Sequence, residues 1–194
     1  MSDPQAPASA AETRKIWPDP GPAPLAGYLD AVAGQPVRPI AAQALVAALE
    51  QGWSDPARLH HHGRRAGLVL DTARTAIASF LGVPVASCFV GSSGSDVLRA
   101  AVMGLYQARL SAGAPARILV GATESMAVTF ATRACPGVET ITIPVDAFGR
   151  IDTEALSAAM SDGAALVCVQ QANAEVGTVQ PVPEVHALCR QAGI

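Results

Sequence analysis

RILVGATESMAVTFATRACPGVETITIPV, residues 117–145, contains two short apolar runs separated by a segment with helical spacing. The first run is nearly continuous in apolar residues, as expected for a strand that is covered on both faces. The same order recurs along the chain, where a helical pattern follows each of the runs SCFV, RILVGA, ETITIPV and ALVCVQ. This alternation predicts an α/β fold: a three-layer, doubly wound and mostly parallel sheet with helices on both faces.

Two helical patterns precede this alternation and form an N-terminal helical segment. The first follows Pro39 and carries apolar residues at intervals of four, namely Ala41, Leu45, Leu49 and Trp53. The second is expected to end at Gly82, because glycine commonly terminates helices. Residues 1–24 are rich in Ala, Pro and Ser and have little periodicity, which predicts a disordered arm before a domain spanning residues 25–194.

Composition excludes several classes of protein. The 194 residues carry a net charge of −3 without any long basic run, so we expect no nucleic-acid partner. No apolar run approaches the roughly 20 residues that span a bilayer, and the N-terminus lacks the apolar centre of a signal peptide. We therefore expect a cytoplasmic protein without a membrane partner. The four cysteines form no C-x-x-C pair and are interpreted as small core residues.

A glycine- and serine-rich turn, VGSSGSD at residues 90–96, lies between an apolar run and a helical pattern. The first amides of a helix lack intrahelical acceptors, and glycine allows close approach of a ligand, so this turn is a candidate for binding a phosphate. The alternative is that Ser95 only caps the helix. The turn is not a nucleotide P-loop, because the lysine of that motif is missing. Three adjacent histidines, residues 60–62, point in different directions, so we predict no metal site.

Five segments, in order, resemble the cysteine desulfurases, which are pyridoxal-phosphate enzymes of the class V aminotransferase group with fold type I. YLDAVAGQPVRP (residues 28–39) is similar to their opening YLDNAATTPV, and SDPARLHHHGRRA (54–66) to N-P-x-x-L-H-x-x-G-R-x-A. The third similar segment is VGSSGSDVLRAAVMGL (90–105). The two most specific matches are IPVDAFGRIDTEAL (143–156) and QQANAEVGTVQPVPEV (170–185).

The resemblance implies pyridoxal phosphate as cofactor and an incomplete fold-type-I large domain. Gly94 and Ser95 stand where the family holds the cofactor phosphate. Ser125 replaces the histidine that stacks on the cofactor ring, in the stretch ESMAV. Asn173 precedes Ala174, where the family has a second asparagine that contacts the ring hydroxyl.

The resemblance also sets expectations for the whole protein. The family's cofactor-binding lysine, with its partner aspartate and glutamine, is expected beyond Ile194, and Lys15 is the only lysine in the chain. We therefore expect a fragment that is inactive alone and contains no catalytic residue. The complete protein would take sulfur from L-cysteine, give alanine and an enzyme persulfide, form a homodimer and serve a sulfur-acceptor protein. The alternatives are a related carbon–sulfur or selenocysteine lyase, and a non-catalytic partner subunit of the same fold.

Overall fold

The computed structural model describes residues 27–30 and 32–194, which belong to two units, Met1–Val37 and Arg38–Ile194. In the first unit the Tyr28 hydroxyl donates a hydrogen bond to the Gly34 carbonyl at 3.0 Å. The predicted arm, residues 1–24, lies outside the described residues. Its disorder and the domain boundary at residue 25 therefore stay predictions.

The second unit alternates helices and strands after two initial helices. Its elements in chain order are α1 (Pro39–Gln51), α2 (His61–Leu81), α3 (Gly94–Ser111), β1 (Arg117–Gly121), α4 (Met126–Arg133), β2 (Glu139–Ile143), α5 (Thr153–Met160), β3 (Leu166–Cys168) and α6 (Val182–Ala192). The predicted N-terminal helical segment corresponds to α1 and α2. Three of the four predicted strands are present.

The strands of the described residues form one parallel sheet in the order β2-β1-β3. In this sheet Arg117 pairs with Glu139 and Gly121 with Ile143, while Val120 pairs with Cys168 on the other side of β1. Successive side chains of β1, the central strand, point to opposite faces of the sheet. The crossovers that return each strand in parallel are helical, as the sequence predicts.

Two apolar clusters cover the two faces of β1. Ile118 and Val120 pack with residues of α3 and α4 in the first cluster, which includes Tyr106 and Val128. Leu119 packs in the second, together with residues of α5 and α6: Leu156, Met160 and Val185. Helices thus lie on both faces of the sheet, which confirms the three-layer α/β architecture.

The predicted strand SCFV, residues 87–90, is wrong. Residues 85–87 form a short 3₁₀ turn, and residues 88–90 make no strand ladder to another described residue. Cys88 has extended dihedral angles, yet Phe89 remains 74% exposed. An apolar run has strand propensity but becomes a strand only when a neighbouring strand accepts its hydrogen bonds.

The spacing of apolar residues predicts where the helices lie, but it predicts less well which of their faces are buried. In α1 the helix is confirmed, but Leu45 and Leu49 are exposed in the described chain. In α3 the pattern predicts a core face of five residues, of which only Val102 is buried. The predicted residues are Val97, Leu98, Ala101, Val102 and Leu105. The largest buried side chain of α3 is Tyr106, whose hydroxyl donates to the Pro136 carbonyl at 3.0 Å.

Capping explains where α2 begins and ends. His60 is the N-cap residue, and its Nδ1 accepts a hydrogen bond from the Gly63 amide at 3.1 Å. Gly82 ends the helix in the left-handed conformation, with φ of 66°, which confirms the predicted stop.

None of the helices in the described part of the chain combines the length and apolar character needed to cross a bilayer.

Two glycines four residues apart in α2 differ in the space around them. A Cβ atom on Gly63 would lie 2.7 Å from Arg58 Cβ and closer still to the Arg58 carbonyl oxygen. On Gly67 the nearest atom would be the Pro56 carbonyl oxygen at 3.5 Å, an ordinary contact. Only Gly63 is therefore required by packing.

We predict opposite effects of alanine at these two positions. Gly63→Ala should lower the free energy of unfolding by about 1–3 kcal/mol, because the methyl group overpacks the turn before α2. Gly67→Ala should leave it unchanged or raise it by up to about 1 kcal/mol, because alanine favours the helix. Chemical denaturation of both variants measures the difference, and equal effects would contradict the packing argument.

Candidate functional site

The carboxyl ends of the three strands lie at one edge of the sheet because all three run parallel. We call this the carboxyl edge; the loops that leave it are residues 122–125, 144–152 and 169–181. Residues 112–116 alone join the end of α3 to the start of β1. The amino end of α3 therefore points towards the carboxyl edge, where open parallel sheets bind their ligands.

Ser93 caps α3, two residues before the predicted candidate Ser95. The Ser93 hydroxyl accepts a hydrogen bond from the Asp96 amide at 3.1 Å. In return, Asp96 Oδ2 accepts from the hydroxyls of Ser92 at 2.8 Å and Ser93 at 2.9 Å. These hydrogen bonds lower the pKa of the Asp96 carboxyl below its ordinary value. The alternative interpretation, in which Ser95 caps the helix, is wrong, because Ser93 occupies that position.

Gly94 and Ser95 are the first two residues of α3. At these positions the backbone amides have no intrahelical acceptor, and neither amide donates to an acceptor among the described residues. A Cβ atom on Gly94 would meet nothing within 4 Å, so the space in front of this backbone is open. Gly91 differs, since its Cβ would lie 2.5 Å from Val97 Cγ2. Gly91 is needed for packing, and Gly94 leaves room for a ligand.

Ser125 lies at the amino end of α4, directly after the end of β1. It is exposed, and its hydroxyl accepts a hydrogen bond from the Val128 amide at 3.4 Å as the N-cap of that helix. A serine here supplies a cap, but it has neither the ring nor the titratable nitrogen of histidine. Its role in binding a cofactor stays a prediction.

Asn173 folds its own loop. Its Oδ1 accepts hydrogen bonds from the amides of Glu175 at 2.9 Å and Val176 at 3.0 Å, which closes a tight turn. Its Nδ2 donates to the Thr123 carbonyl at 3.3 Å. The structure therefore brings the Asn173 loop against the loop that carries Ser125. No hydrogen bond within residues 27–30 and 32–194 joins either loop to Gly94 or Ser95.

Glu124 and Gln170 are site residues that the sequence analysis missed. Glu124 is half-buried and accepts a hydrogen bond from the Gln170 amide; burial raises the pKa of its carboxyl. The Gln170 side chain donates to the Thr123 carbonyl at 2.5 Å. Glu124 lies three residues after the end of β1, and Gln170 lies two residues after the end of β3. A polar residue just beyond an apolar strand is the signal that identifies them. They fix the ends of β1 and β3 to each other.

Three of the four cysteines pack in the apolar clusters of the described residues. All four are free thiols, and Cys135 and Cys168 both pack in the cluster between the sheet and the helices α3 and α4. Burial, with smaller contributions from the charges of Glu124 and Cys135, raises the pKa of Cys168 to about 12. Burial also raises the pKa values of Cys135 and Cys189. These thiols are therefore poor nucleophiles.

We predict that Cys168 resists alkylation in the folded protein. With its pKa at about 12, only about one thiol in ten thousand is ionised near pH 8, and the thiolate is the reactive form. Iodoacetamide should modify Cys168 at least about a hundredfold more slowly in the folded protein than in urea. Mass spectrometry of the Cys168 peptide measures both rates. Rates within a few-fold of each other would contradict the burial of this thiol.

Residues 60–62, the three histidines, form an aromatic group rather than a ligand set. The imidazole of His62 lies 5.2 Å from the Trp53 ring, and His60 caps α2. Across the described ranges, 27–30 and 32–194, no three His, Cys, Asp or Glu side chains are grouped in a way that would hold a metal ion.

The chain matches a known protein family over the residues that the structure describes. The family model described as "Aminotransferase class-V" matches residues 27–194, so this chain belongs to that family. The family predicted from the sequence motifs is thus confirmed. Residues 170–185, which carry Asn173, lie within the matched range.

The curated relatives include cysteine desulfurases. The chain is 34% identical to a cysteine desulfurase from Cereibacter sphaeroides over 170 residues, which cover 86% of this chain and 43% of the relative. It is 31% identical to a NifS/IcsS protein homolog from Lactobacillus delbrueckii subsp. bulgaricus over 163 residues, 83% of this chain and 42% of that protein. The chain therefore spans less than half the length of these relatives.

Solved structures agree on the fold. A NifS-like protein superposes with a TM-score of 0.74 at 22% identity, over 82% of this chain and 44% of that one. DndA from Streptomyces lividans gives a TM-score of 0.69 at 25% identity, over 84% of this chain and 46% of that one. The fold-type-I architecture expected from the motifs is confirmed.

Proposed function

We propose that this chain is part of a cysteine desulfurase-like enzyme that uses pyridoxal phosphate. The observation that carries the proposal is the open amino end of α3, where the amides of Gly94 and Ser95 lack acceptors among the described residues. Membership of the class-V aminotransferase family and similarity to cysteine desulfurases support it. Because the chain spans less than half of these relatives, the activity is proposed for the whole protein.

The amino end of α3 fits the phosphate of this cofactor. Two free amides and the positive end of the helix dipole attract an anion, and Gly94 leaves space for its approach. The Ser95 hydroxyl, which makes no hydrogen bond to the described residues, adds a further donor. The hydroxyls of Ser92 and Ser93 are directed to Asp96 instead. We therefore assign phosphate binding to Gly94 and Ser95.

The Asn173 loop is proposed to face the cofactor ring. Asn173 and Gln170 both donate to the Thr123 carbonyl, which places their loop beside Ser125 at the carboxyl edge. Ser125 caps α4 and offers a small exposed surface there, so contacts with the ring fall to Asn173 and its neighbours.

The proposed reaction moves the sulfur atom of L-cysteine to an enzyme thiol. L-Cysteine and the thiol react to give alanine and a persulfide, so the carbon–sulfur bond breaks, a sulfur–sulfur bond forms, and no external oxidant is needed. When bound, pyridoxal phosphate supplies an electron sink for bond cleavage in the amino acid. The described residues bind and orient; they contain no lysine, and their buried cysteines are unsuited to accept sulfur.

Further properties of the whole protein belong to the same proposal. We expect a cytoplasmic homodimer that delivers sulfur to an acceptor protein. The similarity to cysteine desulfurases supports cysteine as substrate. A second candidate is a non-catalytic subunit of the same fold, which is favoured by Ser125, because a helix-capping serine cannot shuttle a proton as imidazole does.

We predict that Ser95→Asp weakens cofactor binding without destabilising the fold. A carboxylate at the second position of α3 interacts favourably with the helix dipole, yet it repels a phosphate dianion. The affinity for pyridoxal phosphate, measured by absorbance titration of the full-length protein, should fall by about tenfold or more. The matched control is Ser157→Asp on the exposed side of α5. Equal affinities in the two variants would contradict phosphate binding at Ser95.

Turnover of the full-length protein decides between the candidate functions. We expect alanine and sulfide in equal amounts from L-cysteine with a reductant present. Faster release of alanine from L-selenocysteine would favour the related lyase. A protein that binds pyridoxal phosphate but releases alanine from neither substrate would favour the non-catalytic subunit.

A further inference from the structure

Gln180 is a buried polar residue that satisfies two distant backbone groups. Its side chain is almost fully enclosed, with 5% of the residue exposed. Its Oε1 accepts a hydrogen bond from the Ile151 amide at 2.8 Å, and its Nε2 donates to the Gly149 carbonyl at 2.8 Å. Both functional atoms of the amide group are therefore used, and both partners lie about thirty residues earlier in the chain.

These partners belong to a hairpin that follows β2. An antiparallel bridge between Val145 and Ile151 closes this hairpin, and the Asp146 carboxylate accepts hydrogen bonds from the amides of Phe148 and Arg150. Residues 145–151 are called the first hairpin.

Gln180 also closes a second hairpin, residues 171–180. Its backbone amide donates to the Gln171 carbonyl at 2.9 Å, beside an antiparallel bridge between Ala172 and Val179. The turn of this second hairpin is the one that Asn173 forms with the amides of Glu175 and Val176. One residue thus joins the base of the second hairpin to the interior of the first.

The two hairpins also meet at their tips. The Thr178 hydroxyl donates to the Phe148 carbonyl. A Cβ atom on Gly149 would lie 3.7 Å from Thr123 Cγ2, 3.7 Å from Val176 Cγ2 and 3.6 Å from Thr178 Oγ1. The first hairpin therefore lies directly against the turn of the second hairpin and against Thr123, whose carbonyl accepts from Asn173.

We propose that Gln180 is a positioning residue that holds the Asn173 turn in place for the cofactor by fastening the second hairpin to the first. The functional part of this inference rests on the proposed function. Asn173 has only one side-chain hydrogen bond outside its own turn within the described residues, the one to Thr123 at 3.3 Å. The Gln180 amide group supplies the stronger attachment, because its two bonds are short and shielded from water.

The chemistry of the amide explains why a glutamine is needed. Ile151 presents a donor and Gly149 an acceptor, so the partner must accept at one atom and donate at the other. An apolar side chain leaves both backbone groups unsatisfied, and an ionised carboxylate leaves Gly149 facing a negative charge. A neutral carboxylic acid can replace both hydrogen bonds.

The test compares three variants of the full-length protein: Gln180→Leu, Gln180→Glu and the control Gln191→Leu, which changes an exposed glutamine of α6. Hydrogen exchange of the cofactor-free protein reports on the amides of Ile151, Glu175 and Val176. Absorbance titration reports the affinity for pyridoxal phosphate. We expect Gln180→Leu to speed exchange at these three amides and to weaken cofactor binding, each by about tenfold, while the control matches the wild type.

Gln180→Glu adds a readout that a merely structural role would not move. Burial favours the neutral form of the introduced carboxyl, so its pKa is raised and it becomes a donor as the pH falls. Both quantities are compared with the wild type at each pH. As the pH falls from about 8.5 to about 6, exchange in Gln180→Glu should slow towards the wild-type rate, and its affinity for pyridoxal phosphate should rise towards the wild-type value. This variant also keeps the inference testable if Gln180→Leu does not fold.

The outcomes separate this inference from the proposed function. Unchanged exchange at Glu175 and Val176 in Gln180→Leu would overturn the attachment of the turn. Faster exchange with unchanged cofactor affinity would overturn the positioning role. A wild-type protein that binds no pyridoxal phosphate would overturn the proposed function and the role in cofactor binding together, while the exchange data would still decide whether Gln180 holds the turn.

Discussion

The structure depends on the parallel pairing of β1 with a strand on each side. This central position buries Ile118, Leu119 and Val120, so that successive side chains enter opposite apolar layers. Pairing satisfies the backbone hydrogen bonds of β1 on both edges, and helices then exclude water from both faces. Because the three strands are parallel, the loops that follow them lie at one edge of the sheet. There the Thr123 carbonyl accepts hydrogen bonds from the side chains of Gln170 and Asn173. The candidate site is thus a consequence of the sheet.

Much of this architecture is encoded locally and was predictable from the sequence. The strands β1 and β3 are largely apolar, and β2 alternates polar and apolar residues. Gly82 marks the end of α2, and the alternation of strands and helices indicates the layers. Two kinds of feature escaped prediction. Residues 87–90 have the composition of a strand, but strand formation requires a partner that composition cannot supply. Tyr106 is buried because its ring packs in the apolar layer on one face of β1 and its hydroxyl donates a hydrogen bond to the carbonyl of Pro136, thirty residues away.

The candidate site shows the same division. The open amides at the start of a helix predict a phosphate site in the turn at residues 90–96, and the family resemblance assigns that site to Gly94 and Ser95. Ser125 and Asn173 were named from motifs, while their contacts, a helix cap and an asparagine turn, emerged only in three dimensions. Gln180 was not singled out at all, since its partners lie in another hairpin. Residues that position a site are recognised by what they join, and sequence spacing carries little of that information.

The packing of Cys135 and Cys168 has a consequence for how these two thiols react with sulfur compounds. Thiolates exchange with disulfides and persulfides, whereas protonated thiols do so very slowly. Burial keeps both thiols protonated, with the pKa of Cys168 at about 12. Neither thiol is therefore available as a thiolate for exchange with a disulfide or a persulfide. The apolar cluster that stabilises β1 and β3 therefore also protects these two thiols from exchange with disulfides and persulfides.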